Sequence, residues 1–144
     1  MDTLSKIYKA WEDLEPPNII CDSPWDDGCS DVFLNRTFNS FSNEEIQLNS
    51  SCLNFFNAVA LRYYIASFLI CANVSCKGHI AEALDNLFAA PKIDINRPSY
   101  KFIVGLFTKD QLVCIEETIK NNIQNGALEH DCNSIQSFIM LKNM

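Results

Sequence analysis

The chain has 144 residues, 48% of them apolar and 20% charged, with a formal net charge of −7. Ten Phe, four Tyr and two Trp supply large side chains for a core, so the composition argues for one folded domain and against a disordered chain. The first 31 residues hold eight acidic residues against only Lys6 and Lys9, while the rest is nearly balanced. Such a one-signed field repels nucleic acid and anionic membranes and favours a basic partner.

In chain order, residues 3–14 read as the first helix. Asp2 or Thr3 can cap it, and Leu4, Ile7, Tyr8, Trp11 and Leu14 recur at spacings of three and four. Pro16 and Pro17 end it, because proline cannot extend the hydrogen-bond ladder. Residues 18–28 have turn chemistry, and 29–38 read as a second helix with Val32, Phe33 and Phe38 turned inward. Ser42 with Glu45 three residues on is a capping box.

Asn57 caps a central helix that runs to about residue 73. Its apolar run, 58–72, is shorter than the roughly 20 residues a bilayer span needs and contains Arg62, so it reads as a buried core helix. Residues 77–89 form another amphipathic helix, closed by Pro91. Residues 101–107 read either as a short extended segment or as the lead-in to a helix over 109–124, which Thr108 caps and Gly126 stops. A last short helix covers 134–141. The fold class is mainly all-α: an irregular bundle of about six helices around the buried helix 57–73.

The start of the chain lacks the basic residues and apolar run of a secretory signal, which predicts a cytoplasmic protein with reduced thiols. Seven cysteines, an odd number, fit a closed disulfide framework poorly. Cys52, Cys71 and Cys114 lie among apolar neighbours and are expected to be buried thiols.

Motifs for chemistry are weak. Cys21 and Cys29 flank an acidic loop, but their gap is too wide for a zinc pair and the acids do not alternate as in a calcium loop. Cys76 with His79, and His130-Asp131-Cys132, lack a third group to orient a nucleophile and base. Glu44-Glu45 and Glu116-Glu117 are adjacent acids that do not converge across a cleft, so solvated faces are the default. The four glycines are scattered and form no phosphate loop. No catalytic residue, metal or cofactor is expected.

Two candidate sites remain. The first is a partner-binding surface of Glu12, Asp13, Glu15, Asp22, Asp26, Asp27 and Asp31, with Trp11 and Trp25 as aromatic anchors. The second is a pocket lined by Arg62, Tyr63 and Tyr64, for which a structural role of the tyrosines is the favoured reading.

The segment 53–69, LNFFNAVALRYYIASFL, resembles the centre of a bacterial family of uncharacterised small proteins. There a Leu-x-Phe-Phe stretch leads into a helix reading Ala-hydrophobic-Arg-Tyr-Tyr-Leu-Pro-Ala-Phe-Leu. Phe33 to Thr37 is similar to the family's Phe-x-(Gly/Asn)-(Arg/Lys)-Thr stretch, and Phe107 to Gln111 to its Phe-Thr-x-x-Gln helix start. The order covers most of 16–124, with departures at Ala66, near the family's Pro, and at Asn57-Ala58-Val59. The resemblance implies a mainly helical domain and carries no activity.

The first expectation is therefore a non-catalytic cytosolic protein of the immunity or antitoxin type that neutralises a basic toxin or nuclease-like protein. The alternatives are a small-ligand or enzymatic domain using the tyrosine pocket, and a structural homodimer.

Overall fold

The computed structural model describes residues 1–22, 28–75, 78–87, 105–129 and 132. Among these residues the secondary structure is entirely helical: α1 Thr3–Trp11, α2 Cys29–Phe33, α3 Asn43–Leu48, a 3-10 turn Ser50–Asn54, α4 Ala58–Val74, α5 Gly78–Leu87 and α6 Lys109–Gln124. The chain is thus an all-α irregular bundle, as the periodicity predicts. The expected helix over 134–141, Pro91, and the 101–104 part of the ambiguous segment lie outside the described residues.

The bundle is built around α4. Its sequence leaves few polar positions, and eleven of its seventeen residues are buried, so no face can be given wholly to solvent. Helices α1, α3, α5 and α6 and the 3-10 turn all pack on it. Asn57 starts it as expected, its Oδ1 accepting from the Ala60 N–H at 2.8 Å.

Helix α1 starts with Asp2, whose carboxylate accepts from the Ser5 N–H, and ends at Trp11, three residues before the predicted stop. It lies between α4 and α6. Ile7 and Trp11 are fully buried, and polar groups fix the register. Lys6 Nζ meets Glu117 Oε1 at 2.6 Å, and Gln111 Nε2 donates to the Ala10 carbonyl at 3.1 Å. Asn121 Nδ2 donates both to Thr3 Oγ1 and to Asn73 Oδ1, which joins α1, α4 and α6. Glu117, expected on a solvated face, therefore ties two helices together. Buried polar groups need partners, and these contacts supply them at one relative rotation of the helices.

The second helix is shorter than predicted, stopping at Phe33 instead of Phe38. Asn35 takes a left-handed conformation, φ 62°, which breaks the helical ladder. The backbone groups released there are satisfied from α4 instead. Tyr64 Oη lies 2.6 Å from the Phe33 carbonyl and 2.8 Å from that of Arg36, and can donate to either. The Phe38 N–H donates to Tyr63 Oη at 3.1 Å, and Ser67 Oγ donates to the Phe38 carbonyl at 2.6 Å. Tyr64→Phe keeps the ring and removes the donor. It is expected to cost about 1–2 kcal/mol in urea unfolding, since buried carbonyls lose their partner; an unchanged unfolding midpoint would show that this segment is held by packing alone.

Cys29 and Cys52 form a disulfide, with Cα atoms 5.7 Å apart, joining the start of α2 to the 3-10 turn. This corrects the expectation that Cys52 is a buried thiol. An odd cysteine count argues against a closed framework but does not prevent one bridge. Cys71 and Cys114 are buried as expected, and burial pushes the Cys114 thiol up to about 11, so it is not a reactive group at neutral pH.

Helix α3 carries the predicted capping box, Ser42 with Glu45. Glu45 also receives Arg36 Nη1 at 2.6 Å, and the Arg36 guanidinium lies over the Phe41 ring at 3.9 Å. The Arg36 hydrogen bond first, and the Ser42 N–H second, hold the Glu45 carboxyl at about 2, against an ordinary value of 4.5. A lowered carboxyl stabilises the fold above the ordinary value, and the gain is lost as pH falls through the folded one. Acid unfolding followed by circular dichroism is expected to show a shallower loss of stability in Glu45→Gln between pH 4.5 and about 2. Parallel profiles for the two proteins would refute this.

Helix α6 opens with a second capping box, Thr108 with Gln111. It closes at Asn125, followed by Gly126 at φ 87°, where glycine avoids the clash that other side chains meet.

Candidate functional site

Two sets of contacts place described parts of the acidic stretch beside the beginning of α4, where α1 runs out. Trp11 sets this junction: its Nε1 donates to the Arg62 carbonyl at 2.7 Å. Asn57 sets the other side. Its backbone N–H donates to the Ile20 carbonyl at 2.9 Å, and its Nδ2 donates to the Ile19 carbonyl at 2.9 Å and to Asp22 Oδ1 at 3.4 Å. The segment between Pro16 and Asp22 is thereby pinned to the first turn of α4.

Glu12, Asp13, Glu15, Asp22 and Asp31 are all exposed, as predicted for a contact surface. None forms an ion pair with a described residue. Trp11 does not belong with them. It is fully buried in the core and its one donor is engaged, so it cannot act as a surface anchor. Its place in the helical stripe with Ile7 already pointed inward. Trp25, Asp26 and Asp27 lie outside the described residues.

Glu12 and Asp13 also line a groove of about 560 Å³ between α1 and α6, together with Lys9, Thr108, Asp110 and Val113. Asp110, which the sequence reading did not select, is exposed and adds a carboxylate from the far end of the chain. Nothing local in the sequence links Asp110 to Glu12; only the packing of α1 on α6 brings them together.

The tyrosines take the structural role favoured for them rather than lining a pocket with Arg62. Successive residues on a helix point about 100° apart, so Arg62 and Tyr64 diverge. Tyr64 is fully enclosed and Tyr63 nearly so, and both hydroxyls are bound to backbone groups of residues 33–38. Burial, above all, pushes the Tyr64 phenol up to about 12 and raises that of Tyr63, so neither is a general base near neutral pH. Arg62 is half-buried; its Nε is enclosed and has no hydrogen-bond partner among the described residues. Arg62 forms no ion pair with a described residue.

Four further features escaped the sequence. The Cys29–Cys52 bridge is one. The others are apolar residues that stand in solvent: Ile19 is 64% exposed, Val59 63% and Phe55 40%. Ile19 and Ile20 look alike in sequence, yet Ile20 is buried while Ile19 is exposed, with Asn57 bonded to the carbonyls of both. Among the described residues, no three His, Cys, Asp or Glu side chains come together to hold a metal ion. No described helix is long and apolar enough to cross a membrane.

Comparison with protein-family models, with curated proteins and with solved structures finds no match. The site is therefore read from its own geometry.

Proposed function

We propose that this chain is a non-catalytic binding protein of the immunity or antitoxin type, which neutralises a basic, toxin or nuclease-like protein through its acidic end. One observation carries the reading: five exposed carboxylates of the acidic stretch form no ion pair with a described residue. Glu12, Asp13, Glu15, Asp22 and Asp31 have no ion-pair partner among the described residues, whereas Lys6 and Arg36 are bound to Glu117 and Glu45. A surface of this kind raises the rate at which an oppositely charged protein arrives and disfavours nucleic acid. The resemblance to the bacterial family of small helical proteins belongs to the same proposal.

The cytoplasmic placement expected from the sequence has a consequence for the bridge. In a reducing cytosol Cys29 and Cys52 would be held largely as thiols; in an oxidising compartment they would stay joined. Alkylation of thiols in intact cells before lysis separates the two.

The test is co-purification with the products of neighbouring genes at low and high salt, followed by kinetics on the captured pair. Reversing Glu12, Asp13 and Asp22 to Lys is expected to slow association by about tenfold at low salt and to flatten its salt dependence. An on-rate that ignores the reversal would end this reading.

A further inference from the structure

Asn125 is the one asparagine of the chain that a glycine follows. Such a pair is chemically labile. The side-chain carbonyl carbon of an asparagine is open to attack by the backbone nitrogen of the next residue, and glycine has no side chain to stand in the way. The fold puts the pair at the end of α6, where both residues are exposed. Gly126 lies at φ 87°, and a Cβ at this position would meet nothing within 4 Å, so the flank of the residue is open to water.

Three hydrogen-bonding and backbone features bear on the reaction. Asn125 Oδ1 accepts from the Ala127 N–H at 3.2 Å. A donor at that oxygen stabilises the negative charge that grows on it during attack. Against this, Asn125 has ψ 3°, which turns the Gly126 nitrogen away from the side-chain carbon. The Gly126 N–H is also engaged, donating to the Ile123 carbonyl at 3.2 Å. That bond is at the long end of the ordinary range, and the end of a helix opens more readily than its middle. Attack therefore follows fraying of the last turn and does not wait for the domain to unfold.

We infer that Asn125 is a spontaneous modification site with water as its reactant. The Gly126 nitrogen gives its proton to solvent base and bonds to Asn125 Cγ. The Cγ–Nδ2 bond breaks, and the nitrogen takes up a proton and leaves as ammonia. Water then opens the five-membered imide at either carbonyl, which gives aspartate or isoaspartate. Neither product suits the site. A new carboxylate would face the carbonyl end of α6, which has no basic residue in its last turn. Isoaspartate also adds one atom to the backbone before Gly126, and so displaces the Leu128 N–H from the Asn122 carbonyl that it meets at 3.0 Å. Leu128 is the last buried core residue described. The reaction thus frees the end of α6 from the core as the molecule ages, and it is independent of the acidic-surface reading.

The test is to age the full chain at neutral pH, in native buffer and in guanidinium chloride. Peptide mass spectrometry follows the change, and chromatography separates aspartyl from isoaspartyl peptides. The peptide holding Asn125 is expected to gain one mass unit before any other asparagine peptide. Its folded-state rate should lie within about tenfold of the denatured one, as for a fraying helix end. The isoaspartyl form should lose amide-exchange protection at Leu128 while Ile115 and Ile119 keep theirs. Asn125→Gln enlarges the ring that attack must close and should stop the mass gain. Earlier change elsewhere, as at the exposed Asn39 before Ser40, would overturn the inference. So would a folded-state rate below that window, a mass gain that persists in Asn125→Gln, or unaltered protection at Leu128.

Discussion

Phe33→Ala is expected to lower folding stability by about 4 kcal/mol, the range for truncating a fully enclosed aromatic side chain. Phe33 is fully buried although α2 is only five residues long. Its ring lies 4.8 Å from that of Phe41, 4.9 Å from Phe56, 5.0 Å from Tyr64 and 6.1 Å from Phe68. So short a helix has no stability of its own, and the ring is what attaches it to α4. Removing the ring opens a cavity bordered by four other aromatics, one of which, Tyr64, is held back from it by its hydrogen bonds to the backbone. Urea unfolding measures the loss, with Leu48→Ser as the control. Leu48 is 85% exposed, and that change should stay within about 0.5 kcal/mol. Comparable midpoints for the two variants would mean that the aromatic cluster is not the source of cohesion in this half of the bundle.

Opening the Cys29–Cys52 bridge should cost about 3 kcal/mol. The two cysteines are 23 residues apart in sequence, and the closed loop contains α2, α3 and the start of the 3-10 turn. Unlinked, the unfolded chain gains the freedom of that loop, which lowers the relative stability of the folded state. The measurement is unfolding with and without reductant, alongside a thiol count in denaturant. The oxidised chain should show two fewer reactive thiols before reduction than after. A constant thiol count, or a stability indifferent to reductant, would contradict the bridge. Cys29→Ala with Cys52→Ala should reproduce the reduced protein and rule out effects of reductant elsewhere.

The helices that could be read from sequence were those with local instructions. Asp2, Ser42, Asn57 and Thr108 each place a side-chain acceptor over the first turn of a helix, and each does so in the folded chain. The near-uniform apolar run of α4 likewise announced a surrounded helix. Residues 34–38 continue the apolar spacing of α2, yet they leave the helix because Tyr63, Tyr64 and Ser67 offer better hydrogen-bond partners from a distant segment. Periodicity cannot register a competitor some 28 residues away.

The candidate site divides along the same line. Exposure of Glu12, Asp13, Glu15, Asp22 and Asp31 followed from charge alone, because an unpaired carboxylate is costly to bury. Trp11 was misplaced because aromatic size suits an interface anchor and a core residue equally; its neighbours in the helical stripe were the better guide. The structural role favoured for the tyrosines agrees with their hydrogen bonds, but the backbone groups they serve were not visible in the sequence. Asp110 and the exposed Ile19, Phe55 and Val59 depend on which segments meet, and no short-range pattern encodes that.

The docking of α1 on α6 bears on how the chain is made. Thr3 and Lys6 meet Glu117, and Ala10 meets Gln111, across separations of 101 to 114 residues. Proteins emerge from the ribosome from the N-terminus, at several residues per second. Helix α1 must therefore wait for α6, which is made later, before its second face is covered. Until then Lys6 has no counter-ion from Glu117 and the Ala10 carbonyl no donor from Gln111.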